Sequence, residues 1–180
     1  FYDKFLNIDN KQLQYSFDTI KAHFIGSTAL EIGPAHGNMT ALLKDKFENL
    51  HILEASKLLL DKIPNYKNII KHHDLIETFE SDMKFDTIIM GHVLEHIAEP
   101  IIALKKIYSL LKTDGSFIVS VPNAKSIHRL VAVEMGILEN EYKLNSRDIE
   151  LGHYRVYDME ILKEHLKKSG FKIDLMGGYF

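Results

Sequence analysis

Three acidic residues, Glu31, Glu54 and Asp74, each follow a short apolar stretch of the sequence. Glu31 precedes a glycine-containing loop over residues 33–38, GPAHGN, after which the apolar pattern of a helix begins. Glycine lets a backbone approach a ligand closely, and free N–H groups at the start of a helix can bind it. An acid after a second strand, such as Glu54, accepts hydrogen bonds from both hydroxyls of a ribose. This spacing therefore predicts a nucleoside-binding site.

The loop differs from the G-x-G-x-x-G loop that binds dinucleotides, because its small residues are Gly33, Ala35 and Gly37. Glu31 lies two positions before the first glycine. A pyrophosphate is anionic and is disfavoured beside an acid, whereas a positively charged ligand is favoured there. The sequence thus favours a cationic nucleoside cofactor, and a nicotinamide-dependent oxidoreductase is kept as the alternative.

Histidines near the predicted strand ends are candidates for a general base, since imidazole titrates close to neutral pH. His92 follows the fourth predicted strand and is the first candidate. His153 lies in a polar segment with Arg155, whose guanidinium could hold an anionic substrate. Two alternatives stay open: His153 as a buried hinge residue, and His96 as a helix cap or a core residue.

The spacing His92-x-x-Glu95-His96 also matches the inverted motif of zinc proteases. We reject that interpretation because the segment directly follows an apolar strand and does not lie within a long helix. The chain has no cysteine, which excludes thiolate zinc sites and disulfides. We expect no metal site, with a magnesium or zinc ion on Glu95 and a neighbouring histidine as the weaker alternative.

Apolar stretches typical of strands alternate with patterns typical of helices along the sequence. Strands are predicted over residues 28–30, 50–54, 68–74, 84–91, 116–121 and 171–176, and helices over 10–24, 39–47, 57–62, 100–111, 126–135 and 159–168. Ser56 and Asp158 are predicted helix N-caps, residues 112–115 a turn, and residues 140–152 a polar segment without a clear period. The alternation predicts an α/β fold, a Rossmann-like three-layer α/β/α sandwich with a mostly parallel sheet. The carboxyl ends of its strands gather at one edge, where ligands bind.

Length and composition bound the class of protein. The 180 residues predict a single domain, with residues 1–26 as a helical flap whose aromatic Phe1, Tyr2 and Phe5 cover a ligand or pack on the core. The net charge of −3 offers no basic stripe for nucleic acid. The sequence contains neither a run of about 18 apolar residues nor a signal-peptide pattern. We therefore expect a cytoplasmic protein with no nucleic-acid or membrane partner.

The loop with its flanking acids, together with FDTIIMGHVLEHIAEP at residues 85–100 and LLKTDGSFIVSVPNA at 110–124, resembles the class I S-adenosylmethionine-dependent methyltransferases. The most similar subgroup is the small-molecule type with a VLEH segment and a later GHYRVYD segment, here at residues 152–158. The resemblance extends from residue 29 to about residue 171. The last strands of the family are incomplete here, so we expect that part of the domain is missing.

The resemblance implies that the chain binds S-adenosylmethionine and releases S-adenosylhomocysteine. In the implied site, Glu31 orients the ammonium group of the cofactor, Glu54 holds the ribose hydroxyls, and Asp74 accepts from the adenine amino group. The other cofactor-binding positions are Gly33, Ala35, Gly37, Ala55, Leu75, Met90 and Gly91. Ala35 stands where the family more often has glycine, and we expect its methyl group to be tolerated if its φ is negative.

The resemblance also implies the reaction, which is methyl transfer to a small-molecule or carrier-linked acceptor. Oxygen is the expected target, as on sugars or surface-polysaccharide precursors in similar enzymes. His92 and His153 are the catalytic candidates, Asn123 and Arg155 are the substrate-binding ones, and a homodimer is one expected assembly. A non-catalytic module that binds the cofactor is the alternative from another class, and only an acceptor assay separates it from an enzyme.

Overall fold

The computed structural model describes residues 2–178, with side chains from residue 11 onward. Its helices are α1 (Tyr2–Ile20), α2 (Asn38–Leu43), α3 (Lys57–Lys62), α4 (Pro100–Leu110), α5 (Ile127–Glu134), α6 (Ser146–Glu150) and α7 (Met159–Lys168). Its strands are β1 (Thr28–Ile32), β2 (Asn49–Glu54), β3 (Ile69–His73), β4 (Phe85–Gly91) and β5 (Leu111–Ser120), and 3₁₀ turns cover Lys21–His23 and Leu94–His96. The side chains of Phe1, Tyr2 and Phe5, for which the sequence predicts a flap or a core contact, lie outside the described residues.

The strands form one sheet in the order β3-β2-β1-β4-β5. β1 pairs in parallel with β2 and with β4, and β2 pairs in parallel with β3. A central parallel strand is covered on both faces, and every residue of β1 is accordingly buried. In the register of the sheet, Glu31 of β1 stands opposite Ile52 of β2 and Ile89 of β4. The predicted α/β class with a parallel sheet is confirmed.

The described residues divide into two compact units. The first unit runs to Met90 and includes Leu110–Ile118, and the second consists of Gly91–Ser109 and the residues from Val119 onward. The buried apolar side chains include Leu43, Leu50, Ile52 and Ile89 in the first unit, and Leu94, Leu104 and Ile107 in the second. The single domain predicted from chain length stays a prediction. Among residues 2–178, no helix is both long and apolar enough to cross a bilayer.

Two helices begin with the caps that the sequence predicts. At the start of α3, Ser56 Oγ accepts a hydrogen bond from the N–H of Leu59 at 3.4 Å. At the start of α7, Asp158 Oδ1 accepts one from the N–H of Ile161 at 2.8 Å. Each bond satisfies an N–H group that has no partner within its helix. The caps therefore fix the start of α3 after β2 and the start of α7 after the GHYRVYD segment.

Strand β5 begins at Leu111, so the turn predicted over residues 112–115 is wrong. The signal for that turn was Gly115. A Cβ atom built on Gly115 would lie 2.9 Å from Leu111 Cδ2, 3.0 Å from Lys112 O and 3.1 Å from Phe85 O. This glycine therefore marks a close approach of backbone within the strand and not the end of an element.

Residues 171–176 do not form the predicted last strand. A strand requires hydrogen bonds to a neighbouring strand, and within residues 2–178 this segment joins no sheet. Instead, the N–H of Phe171 donates to Leu166 O at 3.1 Å, and its ring packs edge-on against Tyr108 with centroids 5.2 Å apart. The apolar residue that suggested a strand thus packs at the end of α7.

The polar segment over residues 140–152 contains a helix that its pattern does not indicate, α6. Asn145 Oδ1 accepts from the N–H of Asp148 at 2.8 Å, and Asp148 Oδ2 accepts from the N–H of Asn145 at 3.0 Å. This reciprocal capping box stabilises the short helix. Several predicted boundaries also shift: α1 begins at Tyr2 and ends at Ile20, β1 continues through Glu31 to Ile32, and α2 ends at Leu43.

Candidate functional site

The loop after β1 contains three residues with left-handed backbone angles. The angle φ is +69° at Gly33, +49° at Ala35 and +77° at Gly37. A Cβ atom at Gly37 would lie 3.1 Å from the side chain of Ile63, so this position favours glycine for space as well as for φ. The φ of Ala35 is positive, so the condition under which its methyl group was expected to be tolerated is not met, and an alanine held at this angle costs about 1–2 kcal/mol.

Glu54 ends β2, and its carboxylate connects the glycine loop to the turn that follows the strand. Its Oε2 accepts a hydrogen bond from the N–H of Ala35 at 3.1 Å, and its Oε1 accepts one from the N–H of Ser56 at 2.9 Å. The residue is buried. A carboxylate offers about four acceptor positions, so it can accept from further donors while these bonds persist. The side chain is therefore held in place by the chain itself, as a bidentate acceptor must be.

Glu31 lies inside β1 and is only 3% exposed. The hydroxyl of Thr40 donates to its Oε2 at 2.6 Å. Burial raises the pKa of Glu31 to about 7; the Thr40 hydrogen bond opposes this rise, and the charge of Glu54 adds to it. Sequence reasoning did not find Thr40, whose only signal is its place in the first turn of α2. Two buried carboxylates thus border one glycine loop.

Asp74 follows β3, and its carboxylate caps a short turn. Its Oδ1 accepts from the N–H of Leu75 at 2.8 Å and from the hydroxyl of Thr78 at 2.6 Å. Leu75 is half-exposed. Ala55 follows β2, and its carbonyl oxygen lies 3.1 Å from Nε2 of His73. These residues therefore occupy the carboxyl ends of neighbouring strands of the first unit, as the sequence predicts.

Strand β4 ends with a buried Met90 and an exposed Gly91. A Cβ atom at Gly91 would meet only Ser120 Oγ, at 3.6 Å. His92 comes next and has a φ of +54°, which is uncommon for a residue with a side chain. Its N–H donates to Ser120 O at 2.9 Å, and its side chain is 60% exposed. A strained residue fixed by a backbone hydrogen bond is a frequent feature of functional sites.

Glu95, His96 and His153 lie close together in the second unit. Their ligand-type atoms all lie within 4.8 Å of one another, and the rings of His96 and His153 stand nearly perpendicular with centroids 4.7 Å apart. The N–H of Tyr154 donates to Glu95 O at 2.8 Å, which holds the two segments together. His92 Nδ1 lies 3.7 Å from Glu95 Oε1. The histidines that the sequence offers as separate candidates are thus brought into one cluster around Glu95.

The two residues expected to bind substrate both have partners within the chain. Arg155 Nη2 donates to Ala98 O at 2.8 Å, and its Nη1 donates to Ile97 O. Asn123 Oδ1 accepts from the N–H of Lys125 at 2.9 Å. For Arg155, these bonds attach the GHYRVYD segment to the residues that follow the 3₁₀ turn. The expected contacts of both side chains with a substrate stay predictions.

Comparison with known proteins gives matches over most of the chain. A family described as "Methyltransferase domain" matches residues 10–175. N-methyltransferase 4 of Papaver somniferum is 26% identical over 134 residues, covering 66% of this chain and 36% of the relative. The uncharacterized methyltransferase YrrT of Bacillus subtilis (strain 168) is 27% identical over 180 residues, covering 93% of this chain and 82% of the relative. The chain thus spans about a third of the poppy protein's length.

A solved structure extends the likeness to the fold. Magnesium protoporphyrin IX methyltransferase (ChlM) of Synechocystis PCC 6803, solved with bound SAH, superimposes with a TM-score of 0.69 at 17% identity. The match covers 94% of this chain and 76% of that structure. At this level of identity the likeness concerns the fold alone, and it confirms the predicted Rossmann-like class I architecture.

Proposed function

We propose that this chain, which belongs to the methyltransferase domain family, transfers a methyl group from S-adenosylmethionine to a small-molecule acceptor. Family membership confirms the predicted class I methyltransferase and, with it, S-adenosylmethionine as the cofactor of the family.

The placement of Glu31 and Glu54 beside one glycine loop is the observation that carries this proposal. Both carboxylates are buried, and the charge of Glu54 contributes to the raised pKa of Glu31. Negative potential at the loop favours a ligand that carries an ammonium or sulfonium charge and disfavours a pyrophosphate. The residues present therefore fit S-adenosylmethionine better than a nicotinamide dinucleotide.

The proposed roles follow the chemistry of each side chain. Glu54 accepts hydrogen bonds from the ribose hydroxyls while its bonds from Ala35 and Ser56 keep it oriented. Glu31 pairs with the ammonium group of the cofactor, and Asp74 accepts from the adenine amino group. The positions proposed to line the rest of the cofactor are Gly33, Ala35, Gly37, Ala55, Leu75, Met90 and Gly91.

Once bound, S-adenosylmethionine supplies a methyl group that its sulfonium has already activated. What remains for the chain is to position the acceptor and to remove a proton from it. His92 is the proposed base, because its side chain is exposed and its backbone is fixed in a strained conformation by the hydrogen bond to Ser120. His153, which lies beside Glu95, is the alternative base.

A hydroxyl group is the proposed acceptor, as on a sugar or a surface-polysaccharide precursor. A hydroxyl must lose a proton during the transfer, so it has use for a base such as His92. An amine is the second candidate, favoured by the poppy relative that is named as an N-methyltransferase. A neutral amine attacks before it loses a proton, so His92 matters less for that acceptor.

Release of S-adenosylhomocysteine tests the proposal. The protein is incubated with S-adenosylmethionine and with panels of hydroxyl and amine acceptors, and the product is quantified against a blank without acceptor. Turnover above the blank supports the enzyme. Loss of turnover in His92→Ala with a hydroxyl acceptor supports His92 as its base, while retention with an amine supports the second candidate. Cofactor binding without turnover on either panel contradicts the enzyme and favours the non-catalytic module.

A further inference from the structure

We propose that Glu31 selects ligands that carry an ammonium group, and that it does so by releasing a proton when such a ligand binds beside the glycine loop. The inference rests on the proposed function, because that function assigns S-adenosylmethionine to this loop. It adds a property that the assignment alone does not contain, since the strength of cofactor binding then depends on pH. Glu31 and the groups around it all belong to the first unit.

Glu31 is a carboxylic acid placed in the middle of the sheet. It stands opposite Ile52 of β2 and Ile89 of β4, and it is only 3% exposed. Among the residues with described side chains, Thr40 is its hydrogen-bond partner, and no lysine, arginine or histidine forms an ion pair with it. A carboxylate taken out of water without a compensating cation costs free energy, whereas the protonated acid costs much less. These surroundings therefore favour a proton on Glu31 in the free protein.

The hydrogen bond from Thr40 allows Glu31 to change its protonation state without rearrangement. The Thr40 hydroxyl donates to Oε2 of Glu31 at 2.6 Å, so Oε2 acts as an acceptor. An acceptor oxygen is present in the neutral acid and in the carboxylate alike, and the proton of the neutral acid then lies on Oε1. Thr40 is fully buried in the first turn of α2, which keeps this hydrogen bond away from water. The proton on Oε1 can thus leave while the side chain stays in place.

The charged group that acts on Glu31, the carboxylate of Glu54, also favours the protonated form. Glu54 stands two positions after Ile52 on β2, and alternate residues of a strand point to the same face. Its negative charge disfavours a second negative charge on Glu31. β4 presents the apolar Ile89 opposite Glu31, α2 presents the hydroxyl described above, and the glycine loop carries one further titratable side chain, the exposed His36. Among the described residues Glu31 thus has a negative neighbour and no ion-pair partner, so a cationic ligand would supply what its ionised form lacks.

These surroundings couple the binding of a cation to the loss of a proton. Burial raises the pKa of Glu31 to about 7, the Thr40 hydrogen bond opposes this rise, and the charge of Glu54 adds to it. At neutral pH the free protein therefore holds this proton about half of the time. An ammonium group beside Glu31 favours the carboxylate, which lowers the pKa and releases the proton. A ligand without an ammonium group has no such effect, so a higher pH strengthens the binding of ammonium-bearing ligands alone.

Calorimetric titration of the full chain with two ligands tests the inference. S-adenosylhomocysteine and 5′-methylthioadenosine share the nucleoside thioether, but only the first carries an ammonium group. The ratio of their affinities should rise about tenfold from pH 6 to pH 8, because the ionised fraction of Glu31 rises from about a tenth to about nine tenths. At pH 6.5, in buffers that differ in ionisation enthalpy, S-adenosylhomocysteine should release about three quarters of a proton and 5′-methylthioadenosine none.

Matched variants assign the proton to Glu31. Glu31→Gln keeps an oxygen that accepts from Thr40 and resembles the protonated acid, so its affinity ratio at both pH values should stay at the low value that the wild type has at pH 6. His36→Ala removes an exposed titratable side chain of the same loop and should keep the tenfold change. Circular dichroism checks that both variants fold, and the comparison of two ligands on the wild type does not depend on either of them.

Several results would overturn the inference while the proposed function stands. They are binding of S-adenosylhomocysteine without proton release, an affinity ratio that stays the same from pH 6 to pH 8 in the wild type, and a tenfold change that persists in Glu31→Gln. Loss of the tenfold change in His36→Ala would also overturn it, because the proton would then belong to His36. Absence of S-adenosylhomocysteine binding at both pH values would overturn the proposed function, and this inference with it.

Discussion

The glycine loop of the first unit and the histidine cluster of the second differ in how many hydrogen bonds their buried carboxylates accept. In the first unit, Glu54 accepts two backbone hydrogen bonds and Glu31 accepts one from Thr40. In the second unit, Glu95 Oε2 and His153 Nδ1 have no hydrogen-bond partner among the described residues. In the first region the chain itself holds the carboxylates in place, whereas in the second these polar atoms have no such hydrogen bonds from the described residues.

This difference suggests different tasks for the two regions. A carboxylate that is already oriented loses little freedom when a ligand binds, which suits the recognition of a cofactor. Buried polar groups that lack partners gain free energy when a ligand supplies those partners, which suits the binding of a further species.

Replacing His92 by alanine should separate catalysis from cofactor binding. General bases typically contribute 10²–10⁴-fold to rate, so His92→Ala should lower turnover of a hydroxyl acceptor by about 10²-fold or more. S-adenosylhomocysteine affinity should stay within about twofold of the wild type, because Glu31 and Glu54 are intact. Steady-state rates and calorimetry measure the two effects, with His128→Ala as the control. Unchanged turnover in His92→Ala would contradict His92 as the base and favour His153 instead.

Replacing Glu31 by glutamine should change how stability depends on pH. Burial raises the pKa of Glu31 to about 7, so the folded chain keeps this proton between about pH 4.5 and 7 while the unfolded chain releases it. Glu31 therefore stabilises the fold fully below that window, and this stabilisation, up to about 3 kcal/mol, is lost as pH rises through it. Urea unfolding of both proteins at pH 5 and pH 7.5 measures the difference.

Three histidines act against this trend, and the variant comparison removes their effect. Burial lowers the pKa of His51, His72 and His165, so the unfolded chain takes up protons there first as pH falls below about 6.5. Their contribution destabilises the fold toward low pH and is common to the wild type and to Glu31→Gln. If both proteins change stability equally with pH, Glu31 is ionised in the fold and its assigned state is wrong.

Replacing Glu54 by alanine should weaken cofactor binding at least tenfold. The variant loses a charged acceptor and also the bonds that connect the loop to the turn after β2, and tenfold corresponds to about 1.4 kcal/mol. Titration with S-adenosylhomocysteine measures the change. Glu48→Ala, which removes an exposed glutamate before β2, is the matched control and should bind normally. Equal affinity in the wild type and Glu54→Ala would remove Glu54 from the site.

Replacing Ala35 by glycine should stabilise the chain slightly. The substitution removes the strain of φ at +49°, although glycine adds freedom to the unfolded chain, so the net gain should be below about 1 kcal/mol. Ala41→Gly in α2 offers the contrast, since glycine inside a helix costs about 1 kcal/mol. Urea midpoints of both variants measure the difference. A destabilised Ala35→Gly would show that the loop gains from the methyl group.

The sequence predicts those elements whose signals are local. Ser56 and Asp158 cap their helices as expected, because a cap is decided by residues three positions apart. The prediction of a strand over residues 171–176 is wrong because strand formation depends on hydrogen bonds to a distant strand, which the segment itself does not specify. The turn predicted at Gly115 is wrong for a related reason. Glycine is favoured there because the backbone oxygen of Phe85, which is distant in the sequence, lies close to it.

The candidate site divides in the same way. Glu31 and Glu54 can be selected from the sequence because each stands at a strand end near one glycine loop. The partner of Glu31, Thr40, and the approach of His153 to Glu95 depend on packing that no spacing records. The sign of φ at Ala35 likewise depends on the loop as a whole. Residue types can therefore be predicted for the first unit, whereas the cluster of the second unit emerges only in the structure.

The assignment of the glycine loop to the methyl donor is tested by a calorimetric titration of the wild-type chain with S-adenosylhomocysteine, with NADH in a parallel cell. Two buried carboxylates beside one glycine loop predict one-to-one micromolar binding of S-adenosylhomocysteine and no binding of NADH. Binding of NADH without S-adenosylhomocysteine, or binding of neither, would contradict the assignment of this loop to the methyl donor.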